Sequence, residues 1–240
     1  MAFFAEAYRE DEDMSNVHKS VTVLCDLGYE VTQGSTDVIT SPRTDRNGFI
    51  GIVRPGLGSG SVMQAGTRRG FLACVHDSES GRNITVGGIH LDDRNEDERL
   101  KQITELPDLD VLIGDLNAMH RSAPIASILR LLKPVTEQFQ EVNTDFKITT
   151  KRTERFKSLA QRLVRMADGR TLKILANEHG LFDIDPRKRS TIHNVAQIDH
   201  IVTRNVIHAN NYKVHRDLKL SDHVPISADL TYLETAIDHI

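Results

Sequence analysis

The apolar residues of this chain come in short runs, each cut off by Gly, Pro, Asn or Ser, and stretches of helical period stand between the runs. That alternation predicts sheets covered by helices. Residues 37–40, 49–53, 71–75 and 84–89 are β-rich runs, and 110–113 is a continuous apolar run of the kind buried on both faces. Near the end, 197–203 predicts a strand. So does 224–230, where Val224, Ile226, Ala228 and Leu230 alternate with Pro225, Ser227 and Asp229. Helices are predicted where Val17, Val21, Leu24 and Leu27 recur between Ser15 and the stop at Gly28, and where Leu100, Ile103 and Leu106 share a side of 96–106. Two more follow from the stripe Ile125, Ile128, Leu129 and Leu132 in 122–133 and from Phe156, Leu159, Leu163 and Met166 in a basic segment. The stretch 57–61, Leu-Gly-Ser-Gly-Ser, predicts a surface loop; it lacks the Gly-Lys-Ser/Thr ending of a phosphate-cradling loop.

At 240 residues with 39% apolar and 27% charged side chains, the chain is expected to bury one sizeable core as a single domain. Its longest apolar stretch, 125–132, is broken by Ser127 and Arg130, too short for a membrane span. The first residues carry Glu6 and Arg9 in place of a basic segment followed by an apolar one, so no signal peptide is expected and the location reads as cytoplasmic. Cys25 and Cys74 lie in apolar segments without paired spacing, which predicts buried, reduced thiols. A net charge of −4 gives no case for a polyanion partner at the level of the whole chain. Locally, acids crowd residues 92–110 and bases crowd 147–173.

Several polar clusters sit beside strand ends, where side chains converge on one mouth: Glu6 in FFAEAY, His90 in GGIHLDD, Asp115 and Asn117 in IGDLNA, Asp199 in QIDHI, and Asp222 with His223 in LSDHVP. In an extended Asp115-Leu116-Asn117 the carboxylate and amide point one way and Leu116 points into the core. A carboxylate can hold Mg²⁺ or take a proton from water, and an amide can donate to a phosphate oxygen. Taken singly, each cluster also has an ordinary reading: Gly-Asp-x-Asn as a turn bonded to its own backbone, His90 as a surface or core histidine, Asp199 as a strand edge, Ser221-Asp222 as a turn.

Their order along the chain resembles the endonuclease/exonuclease/phosphatase superfamily, over about residues 3–230. Arg99 and Gln102 resemble that family's Arg-x-x-Gln helix, and 180–183 with Thr191 resembles its segment ahead of the Asp-His strand. The resemblance implies an α/β (α+β) fold, a four-layer sandwich of two mainly antiparallel β-sheets flanked by helices. It implies a Mg²⁺ site, with Mn²⁺ as a substitute, held by Glu6 and with Asp222 beside it. It also implies that His90 acts on the phosphate or leaving oxygen, Asp115 activates water, Asn117 bonds a non-bridging oxygen and Asp199 holds the ring of His223. His200, on the other side of its strand, reads as structural. Family members open with a strand ending in Asn well before the acid; here Glu6 comes at once and Ala5 replaces the usual Gln, so a domain lacking that strand is expected.

The activity expected is metal-assisted hydrolysis of a phosphoester, first as a nuclease-like phosphodiesterase. Phosphomonoesters and lipid head groups fit nearly as well, and a catalytically silent phosphate-binding module is the reading from a different class. Arg152, Arg155, Arg162 and Arg165 fall opposite the apolar stripe of their helix. They are read either as a solvated face or as a contact to substrate phosphate, nucleic acid included. The absence of Trp and the 5% aromatic content do not advertise base stacking.

Overall fold

The computed structural model describes residues 1–9, 15–36, 47–78, 80–93, 95–120, 126–131, 163–164, 166–167, 169–185, 191, 196–218 and 223–233; at 6, 8, 9 and 16 it describes the backbone alone. Six strands form the central sheet: β4 (Gly58–Ala65), β5 (Arg68–His76), β6 (Asn83–Gly88), β7 (Val111–Asp115), β8 (Leu181–Asp183) and β9 (Asp199–Arg204), in the order β4-β5-β6-β7-β9-β8. All neighbours are antiparallel except β6 and β7. A parallel pair needs a crossover, and helix α2 (Glu96–Thr104) lies within it. Asn95 caps α2, its side-chain oxygen accepting from the Asp97 N–H, and Glu96, Asp97 and Glu98 place negative charge on the first turn. The acid-rich segment is thus partly a helix start.

Both faces of the sheet are covered. Leu112 and Val202 join Leu91, Ile103, Leu106, Leu172 and Leu175 in a core under α2 and α3 (Arg170–Glu178). Val111 and Ile201, their chain neighbours, face the opposite way, with Ile84, Val86 and the hairpin β10 (Ile207–Val214) and β11 (Ile226–Tyr232). On that same side lies a three-stranded sheet in the order β1-β3-β2, built from β1 (Ala2–Arg9), β2 (Glu30–Ser35) and β3 (Asn47–Val53). Phe49, Val53, Phe71 and Ala73 close the gap between β3 and β5, and a Cβ at Gly51 would overlap the Phe71 ring. Helix α1 (Ser15–Asp26) rests on β2. The result is the expected sandwich: helices, mixed and antiparallel sheets, helices. Among the described residues no helix is long and apolar enough to cross a membrane.

Several expectations are corrected. The Leu-Gly-Ser-Gly-Ser stretch is mostly the edge strand β4, not a loop: a Cβ at Gly58 would overlap the Cys74 backbone and one at Gly60 the Phe71 ring, so these glycines permit close strand approach. Both cysteines are exposed. Cys74 points to the face of β5 away from Phe71 and Ala73, and Cys25 to the outer side of α1. Leu27 is 64% exposed because α1 covers the sheet with Val17, Val21 and Leu24, which are themselves only half-buried. In the helical segment 126–131, Ala126 and Leu129 are buried with Met166, Ala167 and Ile198, while Ile128 is 54% exposed. Residues 37–40, Ile125, Leu132, Phe156 and Leu159 lie outside the described residues.

One buried polar pair ties β8 to β9. His200 is fully buried, its Nδ1 2.9 Å from Asp183 Oδ2 and its Nε2 2.7 Å from the Ala118 carbonyl oxygen. Both neighbours are acceptors, so both ring nitrogens donate and the ring is an imidazolium. Burial disfavours that charge, but the Asp183 carboxylate and the Ala118 carbonyl outweigh it and leave the His200 pKa raised. Burial likewise works against the Asp183 carboxylate, and His200 with the Asp185 N–H outweighs it, so that pKa is lowered.

These shifts set a pH window. The carboxylate, lowered on folding, stabilises fully above its ordinary 3.8 and loses that contribution as pH falls through its folded value. The imidazolium, raised on folding, stabilises fully below its ordinary 6.5 and loses its contribution as pH rises through its folded value. The melting-temperature gap between wild type and Asp183→Asn is therefore expected to be widest between pH 3.8 and 6.5 and to narrow on either side. Thermal unfolding across pH checks this; a gap that widens steadily above neutrality contradicts it.

Candidate active site

The register of β7 against β9 sets Asp115 directly opposite Asp199, two carboxylates on one face of an antiparallel pair. Like charges so placed repel unless positive charge or hydrogen-bond donors lie between them. His223, just before β11, supplies one: its Nδ1 lies 3.0 Å from each Asp199 oxygen and its Nε2 4.0 Å from Asp115 Oδ2. His90, just beyond β6, brings its Nε2 to 3.5 Å from the same Asp115 oxygen. Thus Asp115 Oδ2 sits between two imidazoles, and the carboxylate behind one of them fixes that ring's tautomer and orientation.

Local backbone explains how four segments meet here. Gly114 has φ 138°, and a Cβ there would overlap the Ile89 carbonyl oxygen; glycine lets the strand bearing Asp115 lie against the one leading to His90. Hydrogen bonds from Ile89 N–H to the Ile113 carbonyl and from Leu91 N–H to the Asp115 carbonyl fasten the two. Leu116 is fully buried, as its spacing predicts. Asn117 takes φ 48°, a left-handed conformation asparagine tolerates; its N–H donates to Asp115 Oδ1 at 2.8 Å and its Nδ2 to the Leu91 carbonyl at 2.9 Å. The motif is therefore an Asx turn and a site loop at once. One amide N–H of Asn117 is committed to the protein, and its buried Oδ1 has no partner among the described residues.

Two anchors that sequence reasoning noted only as family likenesses hold the rest. From α2, the fully buried Arg99 donates to the Asp92 carbonyl and pairs with Glu96, while Gln102 accepts from the Asp92 N–H, clamping the His-Leu-Asp-Asp loop on both sides. Glu96 also accepts from the Thr171 N–H and hydroxyl, joining α2 to α3. Thr191 accepts through its hydroxyl oxygen from the Ile198 and Asp199 N–H groups, and its carbonyl accepts from Val224 N–H. One buried threonine thus sets the strand entry of Asp199 and the chain beside His223. A threonine isolated between loops carries no periodic signal that could have marked this role.

Of the residues singled out in the sequence, His90, Asp115, Asn117, Asp199 and His223 come together. Glu6 falls on β1 where the register with β3 shifts between Phe4 and Tyr8; its side chain, together with Asp222, Arg152, Arg155, Arg162 and Arg165, lies outside the described residues. Asp115, Asp199 and His223 offer ligand atoms within 4.8 Å of one another, a group that could hold a metal ion. Two carboxylates and an imidazole fit a divalent cation, and carboxylate oxygens are what Mg²⁺ or Mn²⁺ prefers.

No family model and no curated protein matches the sequence. Solved structures do match in shape. An endonuclease/exonuclease/phosphatase from Beutenbergia cavernae DSM 12333 superposes with a TM-score of 0.53 at 17% identity, over 90% of this chain and 57% of that one. An endonuclease/exonuclease/phosphatase family protein from Leptotrichia buccalis C-1013-b gives 0.52 at 12% identity, over 94% and 80%. ANGEL2, a 2′,3′-cyclic phosphatase solved with adenosine-2′,3′-vanadate, gives 0.51 at 14%, over 92% and 80%. The chain spans little more than half the length of the first of these structures. At such identities the likeness is one of architecture, and the chain has the endonuclease/exonuclease/phosphatase fold.

Proposed function

We propose that the protein is a divalent-metal-dependent phosphoester hydrolase, in the first place a nuclease-like phosphodiesterase. The observation that carries this reading is the Asp115 carboxylate set between His90 and His223, with Asp199 behind His223, at the strand ends of this fold. ANGEL2, described as a 2′,3′-cyclic phosphatase, acts on a phosphorus bearing two ester bonds, which is in keeping with a phosphodiester substrate.

In this reading Asp115 orients the attacking water and takes its proton. Asp199 accepts from the Nδ1–H of His223 and stabilises its cationic form, leaving Nε2 for the phosphate. His90 contacts the phosphate or the leaving oxygen. The second N–H of Asn117 bonds a non-bridging oxygen, while the N–H already given to Leu91 keeps the amide from swinging away. Glu6 and Asp222 would hold the cation, which when bound would neutralise charge building on phosphorus. Arg152, Arg155, Arg162 and Arg165 would contact substrate phosphate, nucleic acid included, and the protein would act in the cytoplasm.

Each proton-transfer group is worth roughly 10²- to 10⁴-fold in rate. Asp115→Asn and His223→Gln are each expected to lower kcat/KM for bis(4-nitrophenyl) phosphate by about 10²-fold or more. Equal release by wild type and both variants would sink the catalytic proposal. Chelation with EDTA is expected to abolish hydrolysis and Mg²⁺ or Mn²⁺ to restore it; full activity after exhaustive chelation removes the metal from the account.

A further inference from the structure

The mechanism above makes no use of the buried pair His200–Asp183, yet the pair is built into the turn that carries Asp115 and Asn117. Along β9, Asp199 points into the site and His200 points the other way, beneath it. In register, the backbone of His200 pairs with Gly114, the residue before Asp115. Its ring reaches the carbonyl oxygen of Ala118, the residue after Asn117, at 2.7 Å. A single residue therefore grips both ends of Gly-Asp-Leu-Asn-Ala: by its backbone at the start and by its imidazole at the finish. The ring is itself held from behind by Asp183, which also accepts from Asp185 N–H and from Gln197 Nε2.

The turn needs such a grip. It contains two residues at positive φ, Gly114 at 138° and Asn117 at 48°. Glycine takes such an angle freely, whereas a left-handed residue with a side chain, as at Asn117, is held by its surrounding contacts. Without the Nε2–H donor the buried Ala118 carbonyl loses its partner, and the turn relaxes towards a geometry that finds another. Asn117, one residue away, is the group that would move first. Its N–H bond to Asp115 Oδ1 moves with it.

We propose that His200, locked in place by Asp183, is the positioning residue of the candidate active site, holding Asp115 and Asn117 at their working angle through the Ala118 carbonyl. This inference rests on the phosphoesterase reading of that site. It concerns geometry alone, and His200 touches no reacting atom.

The test compares His200→Leu, which fills the space without a donor, with His200→Gln, whose amide can still donate to Ala118, and with Asp183→Asn. Steady-state hydrolysis of bis(4-nitrophenyl) phosphate with Mg²⁺ is measured alongside thermal unfolding and amide hydrogen exchange at Asn117 by NMR. A displacement of about 1 Å can cost roughly 10²-fold in rate. His200→Leu is thus expected to lower kcat by about 10- to 100-fold with KM changed less than about twofold, and to speed exchange of the Asn117 amide. His200→Gln is expected to recover part of kcat and of the protection. If His200→Leu does not fold, His200→Gln and Asp183→Asn carry the comparison, each falling between wild type and inactivity with faster Asn117 exchange. Wild-type kcat together with wild-type exchange in the folded variants overturns the inference. Absence of hydrolysis by wild type would instead remove the phosphoesterase reading, and the exchange measurement would still decide whether His200 holds the turn.

Discussion

The rest of the site depends on one cross-strand register, Asp115 against Asp199 on β7 and β9. Side chains directly opposite on an antiparallel pair have Cβ atoms about 4.5–5.5 Å apart, close enough for two carboxylates to repel. A slip by one residue would bring His200 to the site face and send Asp199 beneath the sheet, so the register admits no drift. It is enforced on both sides of the sheet. Above, His223 and His90 place donors against the two acids. Below, Leu112 and Val202 enter the helix-covered core while Val111 and Ile201 enter the other. A slip would exchange these two pairs and bury the imidazole and the carboxylate in the wrong layers.

The same register explains why so many polar side chains are buried around so small a site. Arg99, Gln102, Thr191, Asp183 and His200 each satisfy backbone groups of loops that have no ladder of their own. A buried side chain hydrogen-bonded to a backbone group specifies one loop conformation, since any other leaves both groups unsatisfied. Ion pairs of this kind contribute less to stability than apolar packing of equal volume. Their effect here is to define where His90, Asp115 and Asp199 stand.

Much of this was legible in the residues. Asp115 and Asn117 announce themselves because Leu116 between them must go inward, and the pattern Val224, Ile226, Ala228, Leu230 gives most of β11. What could not be read has physical causes. Edge strand β4 is written in glycine and serine because Phe71 and the Cys74 backbone crowd it, so its sequence carries the sign of a loop. The cysteines sit at apolar-flanked positions whose period places them outward, which needs knowledge of which face is covered. His200 and Thr191 matter through partners 82 and 7–8 residues away, contacts that no local pattern encodes. Helix α3 starts at Gly169, which has φ 72° and gives no side-chain cap, so its start carries no capping signal in the sequence.

Charge balance argues for the cation from a different direction. A phosphodiester brings a negative charge to a floor that already holds two carboxylates, Asp115 and Asp199. The imidazoles of His90 and His223 offset these in part. Two carboxylates side by side on one face are unfavourable neighbours for an anion. A divalent cation beside them would offset that charge for a phosphate while leaving the proposed bases in place. On the proposed reading, a cation beside the two acids would make the acid cluster compatible with an anionic substrate, and the strand register, by holding Asp115 and Asp199 together, would favour a metal-assisted reaction.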